Sequence, residues 1–141
     1  MNKATYHQQA YRKVQIEMAQ PGRVLLSLYD EAHRLIRLAE QQIADGDLSG
    51  KGRSLGKAHA IIAEFINALD HKMAPELCLN LERIYLFMLD RITAANLDMD
   101  AAPLGPVIAN LSRLRETWEL AVNTVAVENS RAAAEHAAEH P

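Results

Sequence analysis

The chain is poor in aromatic residues, has a single cysteine, lacks any long apolar run and carries little net charge. Each shortage closes off a class of protein. Aromatics make up 5% of the residues, while alanine is abundant, which favours helices over sheets. The lone Cys78 allows no intramolecular disulfide. It sits in the apolar run Leu77-Cys78-Leu79, so it reads as a buried structural thiol rather than a nucleophile. No stretch reaches transmembrane length, and Met1-Asn2-Lys3 leads into polar sequence without the apolar core of a signal peptide. The chain therefore reads as cytoplasmic, with no membrane insertion. The net charge of -3 and the lack of a basic face argue against a nucleic-acid partner held through its phosphates. The densest basic patch, Lys51, Arg53 and Lys57, straddles a loop and reads as a solvated helix start.

What is present is helical periodicity. At 141 residues the chain fits one domain, long enough to bury roughly 68–70% of its unfolded surface. Residues 1–18 are mostly polar with spaced apolar positions, including Tyr6, Tyr11 and Val14, and read as an N-terminal arm or short helix. Pro21 suits the first turn of a helix. From there Val24, Leu25, Leu28, Ala32, Leu35, Ile36, Ala39 and Ile43 repeat with helical spacing to about Ala44, where Gly46 and Gly50 break the pattern. A second helix is expected from about Ser54, with Leu55, Ala58, Ile62, Phe65, Ile66 and Leu69 inward, stopping near His71-Lys72. A third opens at Pro75, carries Leu77, Leu81, Ile84, Tyr85, Met88 and Ile92, and ends by Asn96, a residue that tolerates the left-handed conformation. Residues 97–103 read as a loop in which Asp98 and Asp100 are candidate caps. Pro103 and Pro106 confine the start of a fourth helix, whose stripe is Val107, Ile108, Leu111, Leu114, Trp118, Ala121, Val122 and Val125. The tail, residues 129–141, holds Ala, Glu and His without large apolar residues and reads as frayed or disordered. The expected fold class is all-α: an antiparallel four-helix bundle over residues 19–128, with the arm in addition.

Each helix carries more large apolar residues than one inward stripe needs, since a bundle helix requires about three apolar positions in seven. Leu26 and Leu38 fall off the first stripe and Ile61 off the second. Leu79, Leu86, Phe87 and Leu89 widen the third almost to a full circumference. Three readings stay open on periodicity: a wider arc within an ordinary bundle, a homodimer face, or a groove for an apolar segment of another protein.

No catalytic or metal motif survives inspection. Gly46-x-x-x-Gly50-Lys51 is one residue short of a phosphate loop, has no Ser or Thr after Lys51 and follows no strand. His33, His59 and His71 sit on separate turns or helices, and the His136/His140 pair lies in the weak tail. Asp30-x-x-His33 imitates one half of a diiron motif without a second copy. Serine, histidine and acid residues occur without a nucleophile setting. The reading is a binding protein, not an enzyme, with no metal and no cofactor.

Polar and aromatic residues pinned inside the apolar stripes then carry a resemblance. Ala10-Tyr11, Pro21, Leu25, Leu28-Tyr29-Asp30 with Ala32, Lys57-Ala58, Ile61-Ile62, Leu69-Asp70, Asn80-Leu81, Tyr85, Met88, Arg91, Ala95-Asn96 and Thr117-Trp118 occur in the order found in the flagellin-specific export chaperone family (FliS), over about residues 6–122. Each motif is weak alone; the ordered set is specific. Gln20 departs from the small residue that the family tends to place before Pro21, and the tail has no family counterpart.

The resemblance implies an elongated antiparallel bundle in the cytosol. Such a protein would bind the disordered C-terminal segment of flagellin, prevent premature polymerisation and hand the complex to the export gate protein FlhA. It would do no covalent chemistry. On that footing Leu26, Leu38, Ile61, Leu79, Leu86 and Phe87 are expected to line the flagellin groove. Tyr6, Tyr11 and Val14 are expected to cover a groove in the free protein and to be uncovered for the gate when the client binds. Tyr29, Asp30, Asp70, Asn80, Tyr85, Arg91, Asn96 and Trp118 are expected to be structural pins that cap helices or bridge between them. The alternative is a homodimeric helical scaffold or regulatory protein using the same apolar face, and a weak homodimer is compatible with either reading.

Overall fold

Apolar residues spaced by three and four draw each helix onto a common core, and short polar links turn the chain back between helices. The computed structural model describes residues 3–139, and side chains for residues 22–139. Among the described residues it has four α-helices and no strand: α1 Lys3–Ala44, α2 Leu48–Asn67, α3 Pro75–Asp98 and α4 Leu104–Glu139. The chain divides into two compact units, one formed by Leu28–Leu114 and the other by Met1–Ser27 with Arg115–Pro141.

The Leu28–Leu114 unit holds the core. All four helices contribute buried side chains: Tyr29, Leu35 and Ile36 from α1, Leu55, Ile62 and Phe65 from α2, Leu81, Tyr85, Met88 and Ile92 from α3, and Leu104, Val107 and Leu111 from α4. Three rings tie α1, α2 and α3 together. Phe65 stacks on Tyr29 with centroids 4.4 Å apart and lies 5.6 Å from the Tyr85 ring. The Tyr29 and Tyr85 hydroxyls share a buried hydrogen bond of 2.5 Å. Large amphipathic rings are suited to this place, because their apolar bodies fill volume while their polar ends find partners. Among the described residues, no buried side-chain nitrogen or oxygen lacks a hydrogen-bond partner.

The α1–α2 turn explains a helix boundary that periodicity misplaced. α2 begins at Leu48, not near Ser54. Asp47 caps it, its carboxylate accepting from the Gly50 N–H at 2.9 Å. Gly50 is not a breaker but a close-approach residue: a Cβ there would lie 2.1 Å from Asp47 Oδ2 and 2.7 Å from Gln42 Nε2. The true break is Gly46, which adopts a positive φ of 73° that costs glycine little. Ser54 then donates to Gln42 Oε1 at 2.7 Å, setting the antiparallel register of α1 and α2.

The other boundaries shift as well. α2 stops at Asn67, ahead of His71-Lys72. Pro75 occupies the first turn of α3. α3 passes Asn96 and ends at Asp98, closed by Met99 in the left-handed conformation at φ 51°. Its N–H returns to the Ala95 carbonyl, as does that of Asp100 at 3.2 Å. Asp100 also accepts from the Ala102 N–H at 3.0 Å.

In the terminal unit no helix boundary falls at residue 18 or at residue 128. α1 is already helical from Lys3, with Pro21 inside it, and α4 continues to Glu139. Alanine and glutamate are strong helix formers, which accounts for a helical tail without packing: residues 123–139 are all exposed. Among its described residues this unit has none that is fully buried, and Leu25, Leu26, Trp118 and Val122 are half-buried. α1 and α4 approach closely at Gly22, where a Cβ would lie 2.6 Å from Val122 Cγ2.

Candidate partner-binding surface

α3 is apolar on more than one side, and the core uses only one of them. Cys78, Leu81, Tyr85, Met88, Ile92 and Ala95 face inward and are buried. Leu79, Leu86 and Leu97 do not reach the core. They are 47%, 50% and 80% exposed, and they form one row along the helix. Leu79 to Leu86 is about two turns and Leu86 to Leu97 about three, at 3.6 residues per turn.

Both ends of this row adjoin fixed points. Cys78, next to Leu79, donates its thiol to the Asp70 carbonyl at 3.3 Å, in the link after α2. Asp70 also accepts the Lys72 N–H on its carboxylate at 3.1 Å. Asn96, next to Leu97, takes both available bonds from Lys51 near the start of α2. The Lys51 ammonium donates to the Asn96 backbone carbonyl and to its Oδ1 at 2.7 Å. Lys51 is only 6% exposed, which corrects its reading as part of a solvated basic patch. Its charge suits the place, because the last carbonyls of a helix lack intrahelical partners and carry the negative end of the dipole.

Of the six residues expected to line a groove, five lie in the Leu28–Leu114 unit and Leu26 in the terminal unit. Leu79 and Leu86 share the α3 row. Phe87, 45% exposed, is turned about 100° away from Leu86 around the helix. There it lies under Arg91, whose guanidinium carbon is 5.9 Å from the ring centroid. Arg91 also pairs with Asp90 at 2.6 Å. Leu38 and Ile61 belong to a different edge, the seam between α1 and α2. Counting outward from the Gln42–Ser54 bond, they fall on the same side of that seam about one turn apart. Leu38 is exposed and Ile61 half-buried. Leu26 is half-buried in the terminal unit. The side chains of Tyr6, Tyr11 and Val14 lie outside those described.

Leu97 escaped sequence reasoning because it was assigned to the loop after α3, although its spacing from Leu79 and Leu86 continues their row. Leu77, expected on the inward stripe of the third helix, is exposed in the first turn of α3, while Leu48 at the start of α2 and Met73 in the α2–α3 link, also well exposed, belong to no stripe. Of the expected pins, Tyr29 and Tyr85 are buried, Arg91, Asn96 and Trp118 are half-buried, and Asp30, Asp70 and Asn80 are exposed.

Charge on the described surface is mostly local. Arg34 pairs with Glu31 at 2.6 Å on α1. This hydrogen bond holds the Glu31 carboxyl below its ordinary value, helped by the charges of Arg34 and Lys57. His71 Nε2 lies 3.5 Å from Glu82. The described residues contain no cluster of three or more His, Cys, Asp or Glu able to hold a metal ion, and no helix among them is long and apolar enough to cross a membrane.

A small all-helical domain with a filled interior and rows of large apolar side chains left outside has the make-up of an interaction module. The profile of the family Flagellar protein FliS matches residues 2–125 of the chain, and the protein belongs to that family. It is 32% identical over 127 residues to the flagellar secretion chaperone FliS of Salmonella typhimurium, covering 86% of this chain and 94% of that one. It is 31% identical over 115 residues to the flagellar secretion chaperone FliS of Bacillus subtilis, covering 82% and 85%. With the flagellar secretion chaperone FliSB of Pseudomonas aeruginosa it shares 30% identity over 113 residues, covering 80% and 90%. The family is one of flagellar secretion chaperones and not of enzymes.

Proposed function

We propose that this chaperone works in the cytoplasm, binds the C-terminal segment of flagellin, keeps it from polymerising and delivers it to the export gate protein FlhA. The observation that carries the reading is the Leu79–Leu86–Leu97 row, exposed on a helix whose inward face is already full. A row of this length and spacing suits the apolar face of a partner helix laid along α3. A client that is disordered when free would fold as it binds. Coupled folding of this kind buries roughly 1,000–3,000 Å² and gives a large negative heat-capacity change. No nucleotide is needed for release if a competing surface at the gate takes over the complex. The N-terminal residues Tyr6, Tyr11 and Val14 are proposed to cover apolar surface until the client arrives, and amide exchange of the arm should then quicken on binding.

The test is calorimetry with a peptide spanning the C-terminal helical region of the cognate flagellin. One-to-one binding with a large negative heat-capacity change is expected. Leu86→Glu should leave thermal unfolding nearly unchanged, since surface substitutions usually stay within about 0.5 kcal/mol. It should weaken the peptide at least tenfold, roughly, because a carboxylate would be desolvated without a partner. No binding by a folded chain, or full affinity in Leu86→Glu, removes the client from this row. A stable dimer that binds no peptide would make a second copy of the chain the occupant.

A further inference from the structure

We propose that Lys51 is a positioning residue for the client: it holds the last turn of α3 so that Leu97 stands in line with Leu86 and Leu79. This rests on the flagellin-binding reading above and assigns a role to a residue outside the apolar row itself.

A buried lysine is uncommon unless its ammonium is satisfied. Here both acceptors come from one residue, the Asn96 carbonyl and Asn96 Oδ1, and among the described residues no carboxylate pairs with it. The core does not call for a cation at this position, because a methionine would fill similar volume. The ammonium instead supplies what the end of α3 lacks. The Ala95 carbonyl is taken by the Met99 and Asp100 N–H groups, and the next carbonyl, that of Asn96, is taken by Lys51. Helix ends fray when these groups are left to water. The turn so fixed is the one that carries Leu97, the most exposed member of the row at 80%. Its own side chain makes little contact to hold it. At the far end of the row the Cys78–Asp70 bond plays the matching part next to Leu79. The inference is that α3 is pinned at the residue beside each terminal leucine, so that the row is presented ready-made rather than ordered at the client's expense.

The experiment is a double-mutant cycle in the full chain, with amide exchange as a second readout and the flagellin C-terminal peptide as probe. Lys51→Met should speed exchange at Met99 and Asp100, leave the amides of Ile62 and Tyr85 protected, and weaken peptide binding about tenfold. Leu97→Ala should weaken it to a similar degree, since a largely exposed leucine has most of its burial still to gain. The double variant should bind little worse than either single one, because both remove the same contact. Asn96→Ala, which deletes one acceptor at a half-buried helical site, carries the same test if Lys51→Met does not fold. Additive losses, unchanged exchange at Met99 and Asp100, or full affinity in the folded Lys51→Met or Asn96→Ala protein would overturn the positioning role. Failure of the unaltered protein to bind the peptide would instead sink the flagellin reading on which it stands.

Discussion

The chain has two phenylalanines, and the structure gives them opposite surroundings, so they make a controlled comparison. Phe65 is 4% exposed, stacked on Tyr29 and close to the Tyr85 ring. Truncation to alanine removes its transfer free energy, leaves a cavity between three helices and deletes ring contacts. Buried phenylalanine-to-alanine changes cost about 3–5 kcal/mol, and the aromatic pairing alone accounts for about 0.5–1.5 kcal/mol of that. Against a typical domain stability of about 5–15 kcal/mol, this is a large fraction. The midpoint of thermal unfolding should fall by about 12 °C or more. Phe87 is half-exposed, and its alanine variant loses partial packing and an exposed cation–π contact with Arg91, worth about 0.5–1 kcal/mol. Urea unfolding followed by circular dichroism reads both. Phe65→Leu should recover part of the loss by restoring apolar volume without the stack. Equal shifts for Phe65→Ala and Phe87→Ala, or a cost below about 1 kcal/mol for the former, would refute the three-ring core.

Two further predictions test features away from the core. Glycine to alanine in a helix normally gains up to about 1 kcal/mol, yet Gly22→Ala should gain nothing or destabilise, because its Cβ meets Val122 at 2.6 Å. The gain should appear in a Val122→Ala background, and urea unfolding of the four proteins of that cycle decides it; a plain gain in the unaltered background refutes the close approach. Arg34→Ala should raise the Glu31 pKa back toward its ordinary value, since the Arg34 hydrogen bond is the main cause of its lowering. The sign follows from the lowered folded pKa: any stabilisation by the pair is present above the unfolded value and is lost as pH falls through the folded one. Both side chains are open to solvent, 59% and 45% exposed, so the readout is the Glu31 carboxyl titration by NMR rather than stability, and an unmoved titration refutes the pairing.

The helices and their inward faces were legible because burial imposes a period. Ala32, Leu35, Ile36 and Ala39, then Ala58 and Ile62, then Leu81 and Tyr85 follow the spacing of three and four that any core-facing helix needs, and they are buried. The family was legible for a related reason: polar and aromatic residues such as Tyr29, Tyr85 and Asn96 stand within or beside those apolar stripes in a fixed order. What stayed hidden depends on contacts distant in sequence or on local geometry. Nothing in Gly50-Lys51-Gly52 announces that a helix end 45 residues later will lie against Lys51, so a cation between glycines reads as solvated. Gly50 looks like a breaker unless one knows that Asp47 caps α2 and leaves no room for a Cβ at position 50. The candidate groove was legible as a surplus of apolar residues but not as a place, since a surplus on three helices does not say which members share an edge.

That distinction bears on how an exposed row can persist in a folded chain. An apolar residue left half-exposed gains only part of its burial energy, and a contiguous apolar patch invites association. On α3 the exposed leucines are diluted along the helix by Arg83, Asp90 and Thr93, all exposed, so that the row is long but narrow. Such a row offers a helix-shaped partner many contacts in register and offers a flat surface few. The arrangement thus favours a long apolar helix over indiscriminate contact. A second copy of this chain also carries long helices, which is why the oligomeric state has to be measured alongside client binding. A monomer at concentrations where the peptide binds would show that the narrowness of the row discriminates; a dimer that the peptide displaces would show that the chain guards the row with a copy of itself.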